Sequence, residues 1–496
     1  MSKNNVSIKK NFAYSTLYQI LLIVAPLITA PYTSRVFGAD GVGIQSYTNS
    51  IVTYFTMFAA LGTASYGQRT IARNRDNKKI ASKLFWEIEL LSVVTTCISI
   101  FVWLGVIIWG GEYSPYYLVL TMTVIAVAFD ISWFFGGYEQ FKFVFIRNAI
   151  VRVVGIVILF VFVNSKNDLL LYIALLAATG LIGNISMWTY LPKFIEKVDI
   201  KELNNKPHIK ETILYFIPTI ATSIYNVADK TMLGVITQNT YENGYYEQAN
   251  KIVNMAKTVL FSFNNVMTSR MSYCYLNGNK DTFEKMLHKS VSVILFLSIP
   301  MFFGISAIAS SFVPLFFGEG YGKVVPLLYL CSLMLVIIGI SNCMEKLYYT
   351  PSGQRALSNR FVIVGACLNC CLNLILIPRF ESYGATVASV IAEFVITGLY
   401  LYYAKNLVTL KNIIKYSYKF VLSGILMFFA VRYLGSVLPN NWMYVVVEIG
   451  VGAATYIIAL SVFRDTFFMD CLEKYVLSYF IKLRNKNRQE LDHKKK

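Results

Sequence analysis

Charge is what this sequence lacks most. Asp, Glu, Lys and Arg make up 15% of its 496 residues, against 56% hydrophobic residues. A soluble globular chain carries about 25% charged residues, so this one cannot coat a water-exposed surface. Motifs for chemistry on nucleotides or acyl groups are missing too. There is no Walker loop, no dinucleotide fingerprint and no nucleophile triad, and nothing supports ATP hydrolysis. Gly38-Ala-Asp-Gly-Val-Gly43 is glycine-rich, but it joins two apolar runs rather than a strand and a helix, and reads as a turn. Histidine is scarce: His208, His288 and His493 fall in or near polar loops and the tail, where solvated side chains are expected. The eight cysteines lie mostly inside apolar runs, which gives no disulfide framework. Cys367-Leu-Asn-Cys370 has no histidine partner, so neither metal nor redox chemistry is expected there, and no cofactor is implied. A cleavable signal peptide is absent as well. The first apolar run, Phe12 to about Ser34, is longer than the roughly 7–15 residues of a signal core, and is read as a retained first span.

What the chain does have is apolar length. Leu90–Trp109, Leu169–Tyr190 and Ser290–Phe312 hold almost no charge, and about 20 apolar residues suffice to cross a bilayer as a helix. Barrel strands would alternate polar and apolar residues; these runs are apolar all round. The expected fold is therefore an all-α polytopic membrane protein with about fourteen transmembrane helices between residues 11 and 463. Its net charge of +18 would suggest nucleic acid on a soluble domain, but its placement argues otherwise. One set of loops holds Arg69, Arg73, Arg75, Lys78, Lys79 and Lys83, then Lys193, Lys197, Lys201, Lys206 and Lys210, then Arg355 and Arg360. Lys405, Lys411, Lys415 and the tail Lys482–Lys496 continue the series, while the opposite loops hold little beyond Lys166, Lys323 and Arg379. Lysine and arginine concentrate in cytoplasmic loops, which puts both termini in the cytoplasm. The same tail suits anionic headgroups of membrane lipids.

The chain also repeats itself. Gly43, Asn49, Ile51, Val52 and Arg69 recur 201 residues later as Gly244, Asn250, Ile252, Val253 and Arg270. Mid-span prolines, Pro26 and Pro31 in one half and Pro218 in the other, are expected to break the opening helix of each half. Six helices separate equivalent positions, so the repeats run parallel about an axis along the membrane normal. The expected division is a lobe of six helices (1–195), a basic linker (196–210), a second such lobe (211–404), two extra helices (405–463) and a basic tail (464–496).

Charges at membrane depth carry the chemistry. Arg35, Asp130, Arg152, Asp229, Lys230, Lys251, Lys257, Glu345, Lys346 and Glu393 lie within or at the edges of spans. Each costs about 2.5–3.5 kcal/mol at the bilayer centre and must face water, a partner or a substrate. Arg152 and Lys346 can snorkel to the nearby surface. Asp229 and Lys230 are adjacent and project in different directions from a helix, so neither is the other's sole partner. Lys251 and Lys257 form a cationic stripe on one helix, which suits a phosphate-bearing anion. Arg35, Lys230, Lys251, Lys257 and Arg270 are the candidate substrate-binding residues, and Asp130 and Asp229 the candidates for ion coupling or structural pairing.

The residues resemble those of the Wzx-type oligosaccharide flippases, a family of the MOP superfamily that also holds the MATE exporters. The resemblance rests on Thr33-Ser-Arg-Val-Phe-Gly-Ala-Asp-Gly-Val-Gly43, on Phe129-Asp-Ile-Ser-Trp-Phe-Phe-Gly-Gly-Tyr-Glu139 followed by Arg147-Asn148, on Ala228-Asp-Lys-Thr-Met-Leu-Gly234, and on Tyr246-Glu-Gln-Ala-Asn-Lys-Ile-Val253 through Met267–Met271. These cover mainly the first eight helices. Where many such proteins have Pro-Glu after the first-loop glycine, this chain has Ala39-Asp40. The resemblance implies two six-helix lobes around a central cavity. It also implies a bacterial inner-membrane protein that moves undecaprenyl-diphosphate-linked oligosaccharide from the cytoplasmic to the outer leaflet, for O-antigen or capsule assembly. Partners would then include a polymerase and other polysaccharide-assembly proteins, and no nucleic acid. A MATE-like drug exporter is one rival reading and would want acidic cavity residues. A membrane-embedded polymerase is another and would want a large outer loop, which is missing here.

Overall fold

The computed structural model describes residues 8–405 and 407–473, and among these there is helix and no strand. Its long helices follow directly from the apolar runs. Lipid offers the backbone no hydrogen-bond partner, so each run satisfies its own amides by coiling. In chain order the helices are α1 (Ile8–Ala60), α2 (Thr63–Asn74), α3 (Lys78–Trp109), α4 (Ser114–Ile125), α5 (Ser132–Gly137), α6 (Phe141–Phe162) and α7 (Leu169–Met187). They continue as α8 (Lys206–Thr237), α9 (Thr240–Leu276), α10 (Lys280–Phe317), α11 (Val324–Met344), α12 (Arg355–Tyr403), α13 (Leu410–Val437), α14 (Trp442–Val462) and the short α15 (Thr466–Cys471).

Nine of the described helical stretches are both long and apolar enough to cross a membrane. Two further facts bring the number of membrane-length helical segments to fourteen among the described residues. α1 breaks at Gly38 (φ 68°, ψ −178°) and α12 at Glu381 (φ 52°, ψ −128°), each into two helices. α8 and α9 have the length, at 32 and 37 residues, but carry the polar residues discussed below.

Three expectations need correcting. Pro26 and Pro31 sit inside continuous helix, and the break falls at Gly38 instead, where a left-handed φ is open to glycine without steric cost. α8 likewise runs unbroken past Pro218. The supposed turn Gly38–Gly43 is a one-residue kink, because the helix resumes at Ala39. The basic tail Lys482–Lys496 lies outside the described residues.

The chain clusters into two compact units. The first comprises Met1–Thr258, Phe316–Leu327 and Asn359–Ala392; the second comprises Val259–Leu315, Leu328–Ser358 and Glu393–Lys496. In the first unit, Phe85, Trp133, Phe134 and Phe135 form an aromatic core where α3 meets α5. Trp103 and Tyr117 anchor a second core between α3 and α4. Outward faces are as apolar as the inside: Phe101 is 77% exposed and Trp109 86%. Apolar surface on that scale is tolerable only against hydrocarbon.

Within the first unit, α1 and α9 meet at Gly43 and Gly244. A methyl group on Gly43 would overlap the carbonyl oxygen of Thr240, and one on Gly244 would overlap that of Ala39. One turn on, Ser46 donates to Glu247 at 3.0 Å, a contact between residues 201 apart. Ser50 and Thr231 bond at 2.9 Å beside it. Glycine at both crossing points lets two backbones approach more closely than any side chain would permit.

In the second unit, α13 and α14 form a hairpin, with Asn441 capping α14 by accepting from the Tyr444 amide at 3.1 Å. Asn264 bonds Asn342 at 2.9 Å and Ser306 bonds Ser332 at 2.9 Å, tying α9 and α10 to α11.

Candidate functional site

α9 begins just past the glycine crossing, and one face of it presents Glu247 and, a turn later, Lys251. α8 supplies Lys230 to the same spot. Its Nζ lies 2.6 Å from Oε2 of Glu247, with both side chains about a quarter exposed (28% and 22%). Ser46 of α1 donates to that same oxygen. Lys251 also acts electrostatically on Glu247 and on Lys230. Lys230 pairs directly with this carboxylate, and Lys251, one turn along α9, adds a second basic side chain beside it. Ser34, next to Arg35, accepts from Gln248 Nε2 at 2.8 Å. The end of the first half of α1 therefore crosses α9 within one turn of the cluster. Arg35 itself is exposed and packs its stem against Gly318.

Asp229, the residue before Lys230, points elsewhere. It is 5% exposed and accepts from Tyr246 Oη at 2.5 Å, from Asn373 Nδ2 at 2.6 Å and from the Ser389 hydroxyl. Asn369 links Asn373 to Ser389 at 3.2 Å on each side. A carboxylate ringed by neutral donors from α9 and α12 is satisfied without a cation. Asp229 and Lys230 therefore belong to two different networks.

The remaining candidates are dispersed. Asp130 is more than a third exposed and accepts from the Ser132 amide; Arg147 stands 3.6 Å from it and donates to Asn184 at 2.6 Å. Lys257 is half-buried two turns beyond Lys251, Arg152 is exposed, and Arg270 is exposed in the second unit. Lys346 bridges to its neighbour Glu345 at 3.4 Å on a π-helical turn, Glu345–Tyr349. Glu393 is buried.

Several carboxylates in these networks escape a search for charges at mid-span. Glu247 sits among polar neighbours near the start of α9, where it reads as a loop residue. Its signal is positional: it precedes Lys251 by four residues and is the repeat mate of Ser46. At the N-terminal end of the same helix, Lys323 reaches Glu242 at 2.7 Å and Glu381, at the break in α12, at 2.6 Å. Ser382 donates to Glu242 as well. Burial alone would lower the Lys323 ammonium, but the bonds to Glu242 and Glu381 outweigh it and hold it above its ordinary value.

One histidine expectation is overturned. His208 is 5% exposed, not solvated. Its Nε2 lies 2.9 Å from Glu87 Oε2 and its Nδ1 2.7 Å from Tyr66 Oη. The other Glu87 oxygen accepts from the Asn204 amide at 2.9 Å. The linker folds back onto α2 and α3 and hides a residue that its polar surroundings would expose. Among the described residues no group of His, Cys, Asp and Glu has the arrangement of a metal site, and Cys367 and Cys370 are free thiols.

Comparison with known proteins agrees with this architecture. A family model described as "Polysaccharide biosynthesis protein" matches residues 8–272, more than half the chain. An Escherichia coli (strain K12) protein whose provisional name is O-antigen transporter is 24% identical over 412 residues, covering 82% of this chain and 99% of that one. The Staphylococcus aureus capsular polysaccharide biosynthesis protein CapF is 19% identical, covering 80% and 99%. Among solved structures, the lipid II flippase MurJ in an inward closed conformation superposes with a TM-score of 0.71 over 92% of this chain and 99% of its own, at 16% identity. An inward-facing MATE multidrug transporter of the MOP superfamily gives 0.63 over 78% and 94%, at 12% identity. At these identities the structural likeness establishes the fold, which this chain shares with those two proteins.

Proposed function

This chain belongs to the polysaccharide biosynthesis protein family, and on that premise we propose that it is a flippase for lipid-linked oligosaccharide. In this reading it moves undecaprenyl-diphosphate-linked repeat units from the cytoplasmic to the outer leaflet of the bacterial inner membrane. It is a transporter, not an enzyme. Both termini lie in the cytoplasm, as the basic loops require.

The observation that carries the reading is the Lys230–Glu247–Lys251 cluster. A diphosphate needs a cationic resting place that is wet enough to enter and weak enough to leave. Two lysines beside one carboxylate supply this: the arriving anion competes with Glu247 for ammonium groups already desolvated in part. Arg35 and Lys257, in the same compact unit, extend the positive path, and Arg270 is a further substrate contact in this reading. Lobes 1–195 and 211–404 rock about it, with helices 405–463 as an addition. The membrane potential, negative inside, favours outward movement of an anion by about 2.3 kcal/mol per charge per 100 mV. Asp229 and Asp130 are the places where a co-transported ion would act.

The test is complementation in a strain deleted for its own flippase. Lys251→Gln should accumulate lipid-linked repeat units on the cytoplasmic side at normal protein levels. Normal export from Lys251→Gln combined with Lys230→Gln would refute the cationic-cluster reading.

A further inference from the structure

α3 carries a seam of buried small polar residues on the face it turns inward: Ser92, Thr96 and Ser99, spaced three and four residues apart. Ser99 donates to the Phe55 carbonyl at 2.8 Å, but the Thr96 hydroxyl has no partner. Such a seam alone would be ordinary helix packing. It begins, however, at Glu89, one turn before Ser92. Glu89 is 2% exposed, and neither of its carboxylate oxygens has a hydrogen bond or an ion pair among the described residues. Asp130, Asp229, Glu242, Glu247 and Glu381, by contrast, are each held by donors or a cation. Glu87, two residues away on another face, is bound by His208.

The charges facing Glu89 offer it no relief. Asp130, from the segment after α4, acts on it with the same sign, and the guanidinium beside Asp130, that of Arg147 of α6, is tied to Asp130 and Asn184. The part of α1 packed on α3 contributes only Tyr47 and Tyr54 as titratable groups, and α4 only Tyr116 and Tyr117. Arg69 and Arg73 of α2 are exposed, Tyr66 of α2 is bonded to His208, and His208, the α8 group that reaches α3, is occupied by Glu87. An ionised carboxylate without partners in such a place is not sustained.

We propose that Glu89 is a proton-binding site, held as the neutral acid in this conformation and supplied along the Ser92–Thr96–Ser99 seam. The acid O–H bond breaks when water reaches the seam, leaving Glu89 as carboxylate and the proton on water. The site thus adds a third carboxylate, of a different kind, to Asp130 and Asp229. It does not depend on what cargo the protein carries.

The experiment is an infrared difference titration of the purified full-length protein in detergent, from acid to alkaline pH. A carboxylic-acid C=O stretching band should persist well above the range of solvated carboxyls. It should be lost in Glu89→Gln, which preserves shape and neutrality, shifted in Glu89→Asp, and retained in Asp130→Asn. Thr96→Val should keep the band and slow its response to a pH jump; an unchanged rate would remove the seam as the route. An identical titration in Glu89→Gln, or a wild-type spectrum with no such band and a melting temperature that depends on added sodium, would overturn the assignment in favour of a bound cation.

Discussion

Gly43 and Gly244 face each other at the crossing of α1 and α9, and each rests on the backbone carbonyl four residues before the other: Thr240 beneath Gly43, Ala39 beneath Gly244. The pair is reciprocal, as a local two-fold axis requires. Ser46 and Glu247, also 201 residues apart, touch directly one turn on. Contacts at a constant offset mean that the two helices run in the same direction, which is what a parallel repeat demands.

Alanine at either glycine should therefore be costly. Gly43→Ala and Gly244→Ala each place a methyl group against a backbone carbonyl that cannot rotate away, an overpacking worth about 1–3 kcal/mol at least. Both variants should show reduced membrane abundance and a lowered melting temperature in detergent. Gly180→Ala, where nothing lies within 4 Å of the added carbon, should match wild type.

The cationic cluster predicts a sign rule. Lys230→Arg should retain much of the export, and Lys230→Glu should abolish it. Lys230→Ala should lose export with little loss of protein, since Glu247 keeps the Ser46 hydroxyl as a donor and the Lys251 charge one turn away. Neutralising both ends of the 2.6 Å pair, Lys230→Gln with Glu247→Gln, should preserve abundance while export stays low. Full export from that double variant would show an internal structural pair and nothing more.

Asp229 should behave differently. Asp229→Ala leaves the donors of Tyr246, Asn373 and Ser389 without their acceptor, at about 1–3 kcal/mol for each buried group left unpaired. Loss of folded protein, seen by gel filtration, is the expected outcome. Asp229→Asn should be milder. If it folds normally yet exports nothing, Asp229 has a role in the transport cycle beyond holding α8, α9 and α12 together.

The buried His208–Glu87 contact fastens the linker to α3. Removing one member of such a pair costs about 3–5 kcal/mol when a charge is left behind. His208→Ala should open the linker, so that limited trypsin digestion cuts after Lys197 or Lys201 at a rate far above wild type. Glu87→Gln combined with His208→Gln should recover protection, because two amides can bond where the pair did.

Topology is checked by reporter fusions. Those after Lys78 and Lys206 should read cytoplasmic, and those near Glu112, Asn239 and Asn440 external. Reversal at two sites would sink the orientation assigned from basic loops.

By itself the sequence determined the membrane helices and their number. Each of these depends on composition along a single run, and lipid leaves an apolar run no alternative to helix. It also marked Lys230, Lys251 and Asp229 as costly charges in need of company. Which company each keeps was decided by the tertiary structure. Adjacent Asp229 and Lys230 diverge into separate networks because a helix turns about 100° per residue; Glu247 meets Lys230 from the next helix, α9, while Asn373 and Ser389 reach Asp229 from α12, well over a hundred residues away. The same holds for the breaks. Proline in α1 reads as a breaker, yet the packing of the glycine crossing places the kink at Gly38. His208 and Glu89 are the clearest cases: burial is set by what other segments cover, and no local pattern records it.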